Sequence, residues 1–481
     1  MPPIVATFVF FFLIVGLFWA DRDGANKVSK ALWVPVFWLM ISGSRPISQW
    51  MEMLGLGSGV APVGSQERIY IDGSPLDRNI FICLLVAGLT ILFRRRQQVS
   101  ALFQRNVPIL LFFLYCGLSV SWSDYPFVSF KRWMKAIGDV VIVFIVLTEE
   151  DPEAALKRLI SRCAYILLPI SMLFIKYYPE WGREYNVWTW LPAYSGVTET
   201  KNELGLICLV FGLGCFWRVL LAYRYRKESP KTRVLIANST IVLMMLWLLH
   251  MANSVTSMSS FMVAGCLLVM TMLTHLGKRS FVIHTFVASV ILVSLLAMFG
   301  GGAIVESLGR DPTLTGRTGI WTAVLSVSGS PLFGTGFESF WMGDRLLRVW
   351  SMTMDGLQEA HNGYVEVYLN LGWVGIILLA GIIVTGYRNA IISFRRNPNV
   401  GSLRLAMFLI ALIYNLAEAG FRETMLIWIF FLMASSAVPD SLLQPATTKA
   451  EVEPEFVPLR PRLNPQRGHA LNFRATDRSK I

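Results

Sequence analysis

Of five histidines in the chain, one stands in a stretch rich in other chemistry-bearing residues: His361, within Glu359-Ala360-His361-Asn362-Gly363-Tyr364-Val365-Glu366. An imidazole titrates near neutrality and can take a proton from a hydroxyl. The plainer alternative is a histidine that packs its loop onto a membrane surface. Asn362 and Glu366 flank it as supporting polar groups. Upstream runs Gly309-Arg310-Asp311-Pro312-Thr313-Leu314-Thr315-Gly316-Arg317-Thr318. Arg310 and Arg317, set among Gly and Thr beside an expected helix start, suit a diphosphate, because guanidinium offers planar paired donors and a helix N-terminus adds backbone N–H groups. Headgroup anchoring, or pairing with Asp311, is the bland counterpart. A third group is Thr200-Lys201-Asn202-Glu203-Leu204-Gly205, at the mouth of an apolar run. Charges there are costly unless they face a cavity or headgroups. Lys201, supported by Asn202, either binds a ligand or snorkels to the interface. Lys131, Arg132, Arg183, Glu418, Arg422, Glu423 and the more deeply placed Asp139 lie toward the same side, and each is expected to be half of an interhelical ion pair. Together they outline a cavity of mixed charge with a basic lean, suited to an anionic lipid-linked substrate.

The elements that position these groups follow from composition. Hydrophobic residues make up 54% of the 481 positions and charged residues 15%, against about 25% charged in an ordinary soluble domain. Lipid, not a protein core, is the solvent for so much apolar surface. Runs of length sufficient to cross about 30 Å of hydrocarbon recur. They fall at 3–20, 31–43 (short), 79–93, 107–121, 134–149, 160–176, 203–222, 234–250, 259–276, 281–300, 366–386, 402–418 and 424–439. The expected fold is all-α and polytopic, with 12–13 transmembrane helices across residues 1–440. The first run lacks a basic leader and reads as an uncleaved anchor with its N-terminus outside.

Lys and Arg in short loops set the orientation. The stretches Arg94-Arg95-Arg96 with Arg105, 224–233, Lys278-Arg279, and Arg388 with Arg395-Arg396 all fall on one side, together with the tail 441–481. That side is expected to be cytoplasmic, and the tail disordered and basic. Segments 44–78, 122–133, 177–202 and 301–365 then face outward. The last is long enough to expect a function, with short helical patterns at Thr318–Val327 and Leu346–Met354. The six cysteines lie in or beside apolar runs without metal-ligand spacing, so neither a disulfide framework nor a zinc site is expected. The net charge of +12 reflects basic cytoplasmic loops, and no nucleic-acid-binding pattern accompanies it.

Three segments in order resemble the O-antigen ligase and polymerase family of bacterial membrane glycosyltransferases. These are Thr200–Gly205, the run from Thr315-Gly316-Arg317-Thr318-Gly319-Ile320-Trp321 to Pro331-Leu332-Phe333-Gly334-Thr335-Gly336-Phe337, and Ala360-His361-Asn362-Gly363 through Asn370-Leu371-Gly372. The likeness covers roughly residues 100–440 and is nearest to the exopolysaccharide polymerase branch. It implies an inner-membrane enzyme using a polyprenyl-diphosphate-linked oligosaccharide donor and a glycan acceptor at the periplasmic face, with no cofactor and no metal. Membrane lipids and other polysaccharide export proteins are the further partners it implies. His361 would be the base or orienting group for the acceptor hydroxyl. Arg317, with Lys201 and Arg310, would hold the diphosphate. One departure stands out: Met258, within Ser254-Val255-Thr256-Ser257-Met258, occupies a place where family members carry an arginine. Rival readings are a ligase joining glycan to lipid A core, a non-enzymatic transporter of lipid-linked sugars, and a structural subunit of an export complex.

Overall fold

Every one of the thirteen apolar runs carries a helix. The computed structural model describes residues 1–22, 28–56, 73–185, 192–226, 232–274, 279–300, 313–353 and 356–438. Arg310, His275, His469 and the tail from 441 lie outside the described residues. In chain order the helices are α1 (Pro3–Ala20), α2 (Trp33–Ser42), α3 (Ile47–Met53), α4 (Pro75–Arg94), α5 (Arg96–Arg105), α6 (Val107–Ser119), α7 (Pro126–Leu147), α8 (Pro152–Tyr177) and α9 (Pro179–Gly182). After a two-stranded hairpin of β1 (Arg183–Tyr185) and β2 (Pro192–Tyr194) come α10 (Lys201–Arg224), α11 (Thr232–Ala252), α12 (Val255–Leu273) and α13 (Ser280–Gly300). A lobe with α14 (Thr313–Ser326) and α15 (Gly343–Met352) follows; α16 (Gly363–Arg396), α17 (Pro398–Tyr414) and α18 (Leu426–Ser435) close the bundle.

Among the described residues eight helices are long and apolar enough to cross a membrane. The bent α5–α6 pair, turned by 90°, makes a ninth. The apolar segments Lys30–Ser42, Pro398–Tyr414 and Leu426–Ser435 are shorter. Helix α7, although 22 residues long, carries Lys131, Arg132, Lys135 and Asp139. The protein is thus an all-α polytopic membrane protein.

Burial ranks the helices. The apolar window of α10 is 89% buried, whereas that of α13 is 11% buried, so α10 is central and α13 is peripheral. Local sequence starts several helices. Proline occupies a first-turn position of α1, α4, α6, α7, α8 and α17, where no N–H is missed. Asp151 and Asn397 accept backbone N–H groups at the starts of α8 and α17.

Asp139 corrects one expectation. It is fully buried in α7 but forms no ion pair with a described residue: its carboxylate accepts the Trp38 indole N–H at 2.9 Å and the Thr424 amide at 2.9 Å. Two neutral donors satisfy it and tie α2 and the loop before α18 to α7.

The lobe of α14 and α15 is fastened to α16 by backbone. Helix α16 breaks at Gly372 (φ 62°, ψ −162°), and the segment 331–336 lies against the break. Thr335 and Gly336 donate to the Leu369 and Asn370 carbonyls at 3.1 and 2.9 Å. Trp373 and Val374 donate to Pro331 and Leu332 at 3.0 and 3.2 Å. A Cβ on Gly372 would meet the Leu332 carbonyl at 2.4 Å, and one on Gly334 would meet that of Asn370 at 2.4 Å. Two of the sequence segments with a family resemblance are therefore halves of one backbone joint. Gly372→Ala combines this clash with a backbone conformation open only to glycine, and should cost more than about 2 kcal/mol; reduced abundance and melting temperature of the purified variant would check it. Above the joint, Val324, Phe340, Trp341, Leu346, Val349, Leu357, Ala360 and Leu369 form a small core of their own.

Candidate functional site

The loop entering α16 is pinned from both ends. Asn362 accepts the Tyr364 and Val365 amides, both at 3.0 Å, and so caps α16; its own amide donates to Leu416 O at 3.1 Å. Gly363 N–H donates to the carbonyls of Asn415 and Glu418 at 2.9 and 3.0 Å. Glu366, buried in the first turn, accepts the Ala360 amide and the Trp341 indole. Asn362 and Glu366 thereby hold the residues on either side of His361 and do not reach toward an open space.

His361 itself sits at φ 50°, a left-handed conformation that costs a non-glycine residue roughly 1–2 kcal/mol. Glu338 (φ 50°) and Thr424 (φ 61°) share this strain, and among described non-glycine residues Asn253 is the remaining case. Strained backbone of this kind gathers at functional sites.

The strained turns bring charges from five separate segments together. His361 Nδ1 lies 2.8 Å from a Glu359 oxygen and 3.3 Å from a Glu418 oxygen. The other Glu418 oxygen is 3.5 Å from the Arg317 guanidinium, which reaches in from α14. Arg422 lies 3.3 Å from Glu338 and 4.0 Å from Glu359. Arg132 of α7 donates to the main-chain carbonyl of Glu338. Glu423 Oε2 is buried with no hydrogen-bond partner. Nδ1 is the imidazole nitrogen engaged here; Nε2 makes no hydrogen bond with a described residue.

Electrostatics fixes the protonation. The hydrogen bonds to Glu359 and then Glu418 outweigh burial and push His361 up to about 10. Burial alone would raise the Glu359 carboxyl. The His361 hydrogen bond, together with the charges of His361, Arg422 and Arg317, outweighs it and holds Glu359 below the usual carboxylate range. At neutral pH the centre is therefore an imidazolium between two carboxylates, with Nε2–H free. Glu359, His361 and Glu418 can also aim one ligand atom each at a single ion, these atoms lying within 4.8 Å of one another. Arg317 and Arg422 already pair with those carboxylates, so a dication would have to displace them.

Of the residues picked out by sequence, His361 and Arg317 meet through Glu418. Lys201 is exposed at the first position of α10 and makes no ion pair with a described residue; Asn202 is half-buried beside it. Their segment has a local reason as well: Thr200 and Glu203 form a capping box, with Glu203 accepting the Glu199 and Thr200 amides. The mouth of α10 still borders the centre, since Glu203, Glu359, Glu418 and Arg317 all act electrostatically on Tyr414. Arg183 is turned elsewhere, donating to Ile175 O at 2.9 Å. Met258 is 39% exposed in the first turn of α12. Glu338 and the role of Glu359 escaped the sequence reading; their positions directly beside the segments of family resemblance are the signal that was available.

Residues 240–380 match the O-antigen ligase family. That segment contains Arg317, Glu338, Glu359 and His361, whereas Glu418 and Arg422 follow it. The chain is also similar to the exopolysaccharide production protein ExoQ of Rhizobium meliloti (strain 1021), with 25% identity over 289 residues, or 58% of this chain. The match spans 64% of that relative's length. No solved structure matches the chain significantly. In its polytopic helical architecture and in these two likenesses the chain is similar to O-antigen ligase and ExoQ-like proteins.

Proposed function

We propose that the protein is an inner-membrane glycosyltransferase that polymerises polyprenyl-diphosphate-linked oligosaccharide repeats into an exopolysaccharide or O-antigen-like chain at the periplasmic face. The observation that carries this reading is the joining of Arg317, Glu418, His361, Glu359, Arg422 and Glu338 on strained turns at the lobe of α14 and α15. An acceptor hydroxyl oxygen attacks the anomeric carbon of the donor. The bond from that carbon to the phosphate oxygen breaks, and its electron pair leaves with the diphosphate. The hydroxyl proton passes to a carboxylate of the cluster, since the His361 ring is already protonated. Arg317, held to Glu418 by one long contact, can turn paired donors to the diphosphate as charge grows there. His361 serves as the orienting group, presenting Nε2–H while its ring is charged. Lys201 at the mouth of α10 adds a second cation; Arg310 is proposed from sequence alone.

The name of the relative, an exopolysaccharide production protein, favours polymerisation. The family description favours the alternative, ligation of finished glycan to lipid A core. Glycan size in a deletion strain separates them. Single repeats without the protein, and long chains restored by wild type, support the polymerase; long chains stranded on the carrier indicate the ligase. Normal glycan in the deletion strain would sink both.

The arginines already balancing Glu359 and Glu418 lead to a further expectation. A chelator should leave the rate of chain extension in membranes unchanged. Inhibition reversed by a divalent cation would reassign Glu359, His361 and Glu418 as metal ligands.

A further inference from the structure

Helix α8 runs for 26 residues, or about 39 Å. Its Tyr177 end leads to the loop before α10, on the side of His361. Its Pro152 end lies on the opposite side, and there the helix carries Arg158 and Arg162, one turn apart.

Arg162 is half-buried at the third position of the apolar run 160–176, near the end of that run. Its guanidinium lies over the Trp33 ring, 4.3 Å from the centroid. Its NH1 is buried without a hydrogen-bond partner among the described residues. The main charge acting on it is that of Arg158, a like charge.

Three acidic groups of this face are committed elsewhere. Asp21 pairs with Arg218, Glu149 with Arg95 at 2.6 Å, and Glu153 with Lys157 at 2.6 Å. Arg158 donates to the Asp21 carbonyl at 3.1 Å. A guanidinium with a buried, unused N–H beside a second cation calls for an anion with oxygen acceptors. What borders it is apolar and exposed: Trp33 is 43% and Phe37 51% exposed, their ring centroids 5.8 Å apart. The site thus pairs an anion-binding head with a hydrocarbon-facing wall.

We infer that Arg162, with Arg158 and Trp33, binds the phosphate of an anionic phospholipid in the leaflet opposite the His361 site, its acyl chain lying along Trp33 and Phe37. An inorganic phosphate would satisfy the guanidinium but would gain nothing from the aromatic wall.

The full chain, purified in detergent, is titrated with phosphatidylglycerol, phosphatidylcholine or inorganic phosphate, and bound species are counted by native mass spectrometry. Wild type should retain phosphatidylglycerol in preference to phosphatidylcholine, and Arg162→Gln should retain it about tenfold more weakly. Trp33→Leu, which keeps every charge, should weaken retention as well and serves if Arg162→Gln does not accumulate. Equal phosphatidylglycerol retention by wild type and these variants overturns the inference. Displacement of the lipid by equimolar inorganic phosphate overturns it too, leaving a simple anion site.

Discussion

His361→Ala is expected to lower chain extension by about 100-fold or more while the protein stays in the membrane at wild-type abundance. The ring lies outside the bundle interior and its contacts are to Glu359 and Glu418, so its loss unpairs two carboxylates without emptying a core. Quantifying the protein in isolated membranes and the glycan on a gel checks both halves. The pH dependence tells which role the ring has. Its two carboxylate partners push it up to about 10, so it is charged throughout the neutral range. An orienting imidazolium predicts activity that holds through neutrality and falls as pH passes about 10. A ring acting as base predicts the reverse, a rate that climbs toward about 10. The same linkage gives the sign for stability. The folded-state value lies above the ordinary 6.5, so the stabilisation is fully present below that pH and is lost as pH rises through about 10.

Arg317→Lys is the second large effect, expected at about 100-fold because an ammonium cannot supply two parallel donors to a diphosphate. Arg317 contacts Glu418 at 3.5 Å, a long pairing that lysine can replace. The variant should therefore fold normally and fail in catalysis. A rate within a few-fold of wild type, measured on membranes with equal protein, would remove the paired-donor role.

The bundle was legible because hydrocarbon forces every spanning backbone to satisfy itself in helices, which writes long apolar runs into the chain. Loop residues obey no such period. His361 and Arg317 drew notice through residue type and neighbours. Glu338 and Glu359 reach the same centre through left-handed turns at 338 and 361, and nothing in their spacing announces those turns. The reason for Gly334 and Gly372 was equally hidden: a close approach of two backbones 38 residues apart is a tertiary fact. The Thr200–Glu203 capping box follows the pattern Thr-x-x-Glu, which a reading of that segment for charge alone passed over. Asp139 had looked like half of an ion pair because a buried charge needs compensation. An indole and an amide supply it instead.

The most direct test reconstitutes the purified full chain in lipid with a polyprenyl-diphosphate-linked repeat, and follows both glycan length and released polyprenyl diphosphate. A ladder of lengthening chains, with one diphosphate freed per bond formed by wild type and neither product from His361→Ala, is the predicted result. Intact donor with wild-type protein, or equal ladders from both proteins, would contradict glycosyl transfer at this centre.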